Sequence, residues 1–145
     1  MTQNSEDEIR RIYEEWHRTV RGRDLEGLVA LYDERAILET PLILATLKDR
    51  SEGILRGMAE IRPFFEAGLS KLGSTLARWF RKEGAFFSDG RQLVWEYPRE
   101  TPEGDQIDLV EVMDIAGGLI RHHRVYWGWV GYKSLVALSG QCGEF

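Results

Sequence analysis

The chain has 145 residues, of which 43% are hydrophobic and 30% charged, with one cysteine and a net charge of -5. That length suits a single domain, residues 1–145, able to bury roughly 70% of the surface its unfolded chain exposes. With no apolar run long enough to span a bilayer and no basic, apolar leader, the expected place is the cytoplasm; the lone Cys142 argues against a disulfide framework or a cysteine-rich metal site, and the acidic balance argues against DNA or RNA as partner.

Ile9, Ile12, Tyr13, Trp16 and Val20 recur at helical spacing behind Ser5 and an acidic first turn of Glu6, Asp7 and Glu8, which predicts a first helix ending at Gly22. Asp24 can cap a second, short helix with an apolar face of Leu25, Leu28, Val29 and Tyr32. AILETP reads as a brief strand stopped by Pro41. Residues 42–56 show no clean period and read as a loop with at most a helical turn, the kind of long connection that often serves as a lid or binding wall. GMAEIRPFFEAGLSKL predicts a third helix through Met58, Ile61, Phe64, Phe65 and Leu69, with Pro63 in its first two turns.

After Gly73 the period changes to two. Segments 75–87, 91–99, 106–115 and 119–129, joined by the turn signals SDGR, TPEGD and AGG, predict a run of antiparallel hairpins. The basic stretch Arg78, Trp79, Phe80, Arg81, Lys82 alternates in type and reads as a strand with one solvated face rather than as a nucleic-acid patch. VGYKSLVAL closes the chain as a short helix. Helices first and a meander after imply an α+β domain in which a curved antiparallel sheet wraps helices packed on one face.

Segment 106–115 carries the most informative pattern. One face reads Ile107, Leu109, Glu111, Met113, Ile115, and the other Asp108, Val110, Val112, Asp114. A carboxyl group on an apolar face is costly unless paired or hydrogen-bonded, and burial favours the neutral form of such a group, which suits a general acid or base; a structural pair with a nearby arginine is the competing use. His122 and His123 are adjacent in a strand and point to opposite faces, so they cannot share a metal ion; with no HExxH or cysteine pair, and His17 on a distant helix, no metal site is expected. If Ala116, Gly117 and Gly118 form the turn, His123 falls opposite Glu111 and Val125 opposite Leu109, and Glu111, His123, Val125 and Trp127 share the inner face. A one-residue change in the turn would place Arg124 opposite Glu111 instead, making a salt bridge. The first register buries Val125 and Trp127 together. In LVWEYPR, Glu96 shares a face with Val94 while Trp95, Tyr97 and Arg99 take the other, and which face is inward stays open. No GxSxG or P-loop is present.

These pieces together resemble the nuclear transport factor 2-like cone fold, which includes ketosteroid isomerases, SnoaL-like polyketide cyclases and limonene epoxide hydrolases. DLEGLVALYDERAILETP, residues 24–41, is similar to the second helix and first strand of the isomerases, and VEVMDIAGGLIRHHRVYWGW is similar to the last hairpin of the SnoaL-like group. The resemblance covers nearly the whole chain. It implies that His123, Val125 and Trp127 face a pocket, and that His122, Arg124 and Tyr126 lie on an outer sheet face through which members of the family commonly dimerise. The isomerases' base position, just before the proline, holds Thr40. Their oxyanion-hole Asp falls on Glu111 and their oxyanion-hole Tyr on Trp16. The cyclases' catalytic His and Asp fall on Glu111 and Val125. The hydrolases' last-strand Asp falls on Val125 too, and Glu96 is a shifted counterpart of their strand-three pair. A pocket is implied without the complete catalytic set of any of these relatives.

The resulting expectation is a SnoaL-like small-molecule enzyme performing acid/base chemistry, without metal or redox cofactor, on an apolar carbonyl- or epoxide-bearing substrate. Glu111 would be the acid or base and His123 would share its proton. Trp16, Leu109, Met113, Val125 and Trp127 would wall the substrate, with Thr40 and Glu96 as secondary polar contacts. The alternative is a non-catalytic dimeric ligand-binding or protein-interaction module, its cone filled by Trp16, Trp79 and Trp127. An enzyme or carrier needs a cavity of about 300 Å³ or more; an interaction domain does not.

Overall fold

The computed structural model describes residues 3–71 and 84–139. Helix α1, Glu6–Gly22, starts in a capping box: the Glu8 backbone N–H donates to Ser5 Oγ while Glu8 Oε2 accepts from the Ser5 N–H. It ends at Arg23, which takes the left-handed conformation with φ 53°. Its apolar stripe, from Ile9 to Val20, lies wholly in the core. Asp24 caps α2, Leu25–Val29, by accepting from the Gly27 N–H at 3.0 Å.

Strand β1, Tyr32–Glu39, begins earlier than the sequence pattern suggests. Tyr32 therefore belongs to a strand rather than to the face of α2, and its ring is buried with Ala36 and Leu38. The segment expected as a loop holds α3, Leu42–Thr46, and β2, Ile54–Arg56, which pairs with the end of β1. Helix α4, Met58–Lys71, carries Pro63 in its second turn. The basic stretch 78–82, Trp79 and Cys142 lie outside the described residues, as does most of segment 75–87. Strands β3, Phe87–Ser88, and β4, Gln92–Tyr97, follow, and a small separate hairpin pairs β5, Glu100–Thr101, with β6, Gly104–Asp105. The chain continues through β7, Leu109–Ala116, and β8, Leu119–Trp127, to α5, Trp129–Ser139.

The main sheet is curved, with order β2-β1-β8-β7-β4-β3, and its inner face closes over α1 and α4 to form the core. Its pairs are antiparallel except β1 with β8, which run parallel and set Leu38 beside His123. That long-range pairing is invisible to local periodicity, and it brings the helical first half of the chain against the meander.

The β7–β8 hairpin differs from the expected register in an instructive way. The turn contains two residues, Gly117 and Gly118, both with positive φ (59° and 73°), a geometry suited to glycine. Ala116 therefore pairs with Leu119 and Ile115 with Ile120. Continued unchanged, that register would place Arg124 opposite Glu111. A bulge intervenes, so that Asp114 pairs with His122, Met113 with His123 and Glu111 with Val125. Relative to the three-residue turn, the strands slip by two, which preserves the faces: Glu111 and His123 stay on the inner side as diagonal rather than direct neighbours.

Buried Asn4 fixes this end of the sheet to the start of α1. Its side-chain NH₂ donates to Gly90 O at 2.9 Å and Ile115 O at 2.8 Å, and its Oδ1 accepts from the Gly118 N–H at 3.0 Å. Among the described residues no helix is long and apolar enough to cross a membrane.

Candidate functional site

Four elements contribute one chain of polar side chains to the inside of the cone. Glu111 comes from β7, His123 from β8, Tyr32 from the start of β1 and Trp16 from the middle of α1. All four are at least nine-tenths buried. His123 Nε2 lies 2.5 Å from Glu111 Oε2, its Nδ1 lies 2.8 Å from the Tyr32 hydroxyl, and that hydroxyl oxygen accepts from Trp16 Nε1–H at 3.2 Å.

The direction of each bond follows from the donors available. Burial pushes the Tyr32 hydroxyl well above the usual phenol range, so it keeps its proton. Its oxygen already accepts from Trp16, and its proton goes to the one acceptor in reach, His123 Nδ1. A neutral His123 then carries its proton on Nε2 and donates it to Glu111. That contact is the shortest of the three in the chain. The relay uses Glu111 Oε2 only; Oε1 has no hydrogen-bond partner among the described residues.

Glu111 and His123 sit in the wall of a cavity of about 90 Å³. Leu28, Leu38, Phe64, Phe65, Leu69 and Leu109 supply most of the rest of that wall, and Val125 and Trp127 line it from β8. Thr40 lies at the rim, where its hydroxyl oxygen accepts from Trp127 Nε1–H at 3.1 Å and from the Leu42 N–H at 3.3 Å. It serves to orient the indole and the start of α3.

Of the residues singled out in the sequence, Trp16, Thr40, Leu109, Glu111, His123, Val125 and Trp127 thus line one cavity. Two do not. Met113 is fully buried on the same sheet face without lining it, and Glu96 is exposed on the outer face. The reason for the latter is pairing: Trp95 stands opposite Glu111, so Leu93, Trp95 and Tyr97 turn inward and Glu96 outward. Tyr32 is the participant that sequence reasoning missed. The available signal was its place in step with Ala36 and Leu38 along β1.

On the opposite sheet face Arg124 pairs with Asp114 through two bonds of 2.7 and 2.9 Å, and the hydrogen bond to Arg124 holds the Asp114 carboxyl below the usual range. His122 pairs with Glu39. Among the described residues no group of three or more His, Cys, Asp or Glu side chains is arranged to hold a metal ion.

A curved sheet wrapped on helices, with its polar groups gathered inside the cone, defines the nuclear transport factor 2-like class. The SnoaL-like domain profile matches residues 9–123, and the chain belongs to that family. Among curated proteins none matches by sequence. Solved structures do match. A SnoaL-like protein of unknown function from Burkholderia thailandensis shares 14% identity, covering 88% of this chain and all of that one, with a TM-score of 0.65. TerC, crystallised with polyporic acid, shares 18% identity over 90% of this chain and 98% of its own, with a TM-score of 0.63; a de novo designed curved-sheet protein of equal identity scores 0.62. SalBIII, described as an epoxide hydrolase/cyclase-like enzyme with a role in pyran ring formation in salinomycin, shares 22% identity over 86% of this chain and 93% of its own, with a TM-score of 0.59. At these identities the likeness is one of fold; a designed protein scoring alongside natural ones underlines that the fold does not fix the reaction.

Proposed function

We propose that the cone is the active site of a SnoaL-like enzyme that performs acid/base chemistry on a small, largely apolar molecule with its own side chains. The observation that supports this reading is the buried Glu111–His123 pair, with one carboxylate oxygen engaged by the imidazole and the other left over in the wall of an apolar cavity. In this role Glu111 Oε1 takes a proton from the substrate and later returns it. His123 holds the carboxylate in place, and Tyr32 and Trp16 hold His123. The existence of relatives described as cyclase-like is consistent with chemistry in such a cone.

The test is a thermal-shift panel running from five-carbon alcohols, ketones and epoxides up to steroids and polycyclic ketones, followed by turnover assays on whatever stabilises the protein. A ligand at about a hundred times its dissociation constant should add roughly 2.7 kcal/mol. Glu111→Gln should keep the fold and lose turnover; undiminished turnover in that variant refutes the assignment.

One observation favours a second reading. A cavity of about 90 Å³ is well below the roughly 300 Å³ of ordinary ligand pockets, as a cone filled by its own side chains would be. In that case the protein is an interaction module and the panel stays silent. For either reading we propose a homodimer through the outer sheet face, where Tyr126 is 56% exposed beside the Arg124–Asp114 pair. Sedimentation of wild type against Tyr126→Glu tests it, and a wild-type monomer at micromolar concentration refutes it.

A further inference from the structure

Among the described residues the hydrogen-bonding capacity of the cavity wall is largely spent within the protein, and what remains is one carboxyl oxygen and one hydroxyl proton. The indole N–H of Trp16 is donated to Tyr32, and that of Trp127 to Thr40. The Tyr32 proton is directed to His123 Nδ1 and the His123 Nε2 proton to Glu111 Oε2. Thr40 accepts twice through its hydroxyl oxygen and keeps its own O–H proton undonated. Among the described lining residues no indole, imidazole or phenol donor is left to meet a guest, and the Thr40 hydroxyl is the remaining side-chain donor. The unspent acceptor is Glu111 Oε1, on a side chain only 6% exposed. A buried acceptor of this kind, without a partner among the described residues and set in an apolar wall, calls for a donor from whatever occupies the space.

We infer that the cone selects an uncharged, apolar molecule that presents a hydroxyl or N–H group to Glu111, and discriminates against a molecule of the same shape that presents only a carbonyl. The inference rests on the reading of the cone as a small-molecule site, and it narrows the class of occupant. A carbonyl oxygen could accept from the Thr40 hydroxyl but would leave Glu111 Oε1 unpaired, and an anion would fare worse. A hydroxyl or N–H group would restore the bond Glu111 lacks. The cavity volume of about 90 Å³ restricts a guest that leaves the walls in place to little more than a small ring, given that a cavity of about 150 Å³ accommodates benzene.

Cyclopentanol and cyclopentanone form a matched pair of probes for this polarity. Their dissociation constants can be measured by titration of wild-type protein, following the Trp16 and Trp127 indole N–H signals by NMR. The alcohol should bind about tenfold more tightly or better, the worth of one hydrogen bond to a charged group. In Glu111→Gln the amide oxygen turns to the His123 Nε2–H and the NH₂ turns to the cavity. The alcohol's advantage should then fall to about twofold or less. Equal or tighter binding of the ketone to the wild type overturns the inference, as does a preference that survives in Glu111→Gln, or indole signals moved by neither probe. The wild-type comparison stands even if the variant does not fold. The outcome is separable from the acid/base assignment: the binding preference can hold where no turnover is found, and a turned-over substrate lacking any donor would defeat the preference while leaving Glu111 as a base.

Discussion

Replacing Tyr32 by Phe removes one oxygen from the centre of the relay and keeps the ring, so no sizeable cavity forms. Two buried partners are stranded: Trp16 Nε1–H, now 3.2 Å from nothing polar, and His123 Nδ1, which loses its donor at 2.8 Å. Each orphaned group in an apolar setting costs about 1–3 kcal/mol, which gives about 2–6 kcal/mol for the substitution. For a chain of this length each kcal/mol corresponds to roughly 2–4 °C in Tm, so even the lower end is a fall of about 4 °C. Urea unfolding at neutral pH, with the m-value compared between variants, measures the loss directly. Combining Tyr32→Phe with Trp16→Phe should cost less than the sum of the two, because the second change removes a donor the first had already stranded. A loss below about 1 kcal/mol for Tyr32→Phe would refute the argument that the hydroxyl holds both neighbours.

Glu111→Leu and His123→Leu should each destabilise the fold, and the double variant should cost about 1–3 kcal/mol less than their sum in a thermal or urea cycle, since a lone survivor is an unpaired buried group. Asp114→Asn tests the outer face. The Arg124 hydrogen bond depresses the folded-state pKa of Asp114, so its stabilisation is present above the unfolded carboxylate value of about 3.9 and is lost as pH falls through the lower folded value. The variant should be less stable at pH 7 by no more than about 1 kcal/mol once solvent screening is allowed for, and the difference should shrink on acidification and with added salt. Gly131→Ala would set a Cβ 2.7 Å from the Asp108 backbone oxygen and 2.9 Å from Trp127 Cε3, and a clash against backbone cannot be relieved by a rotamer change. It should cost about 1–3 kcal/mol in Tm-derived stability while an Ala at exposed Lys133 costs less than about 0.5 kcal/mol.

Much of this molecule is written in local pattern. Helix α1 is specified by the spacing from Ile9 to Val20 together with the Ser5 cap, because a 3.6-residue period and a satisfied N-terminus are properties of one short stretch of chain. The same holds for the alternation in β7, where Glu111 stands out as the one carboxyl on an apolar face without any knowledge of its partners. Tertiary structure decided what that carboxyl meets. The bulge in β8 restored the inner position of His123 after a turn that alone would have brought Arg124 to Glu111, and no side-chain period records a bulge. The parallel pairing of β1 with β8 brought Tyr32 to His123 across 91 residues of sequence, and it made a residue that looks like part of a helical stripe into the hinge of the relay. The antiparallel pairing of β4 with β7 turned Trp95 inward and Glu96 out, a choice between two faces that alternation alone leaves equal. The size of the cavity was likewise settled by packing. Side chains from α1, α2, α4 and three strands meet there, and the space left between them depends on all their positions at once.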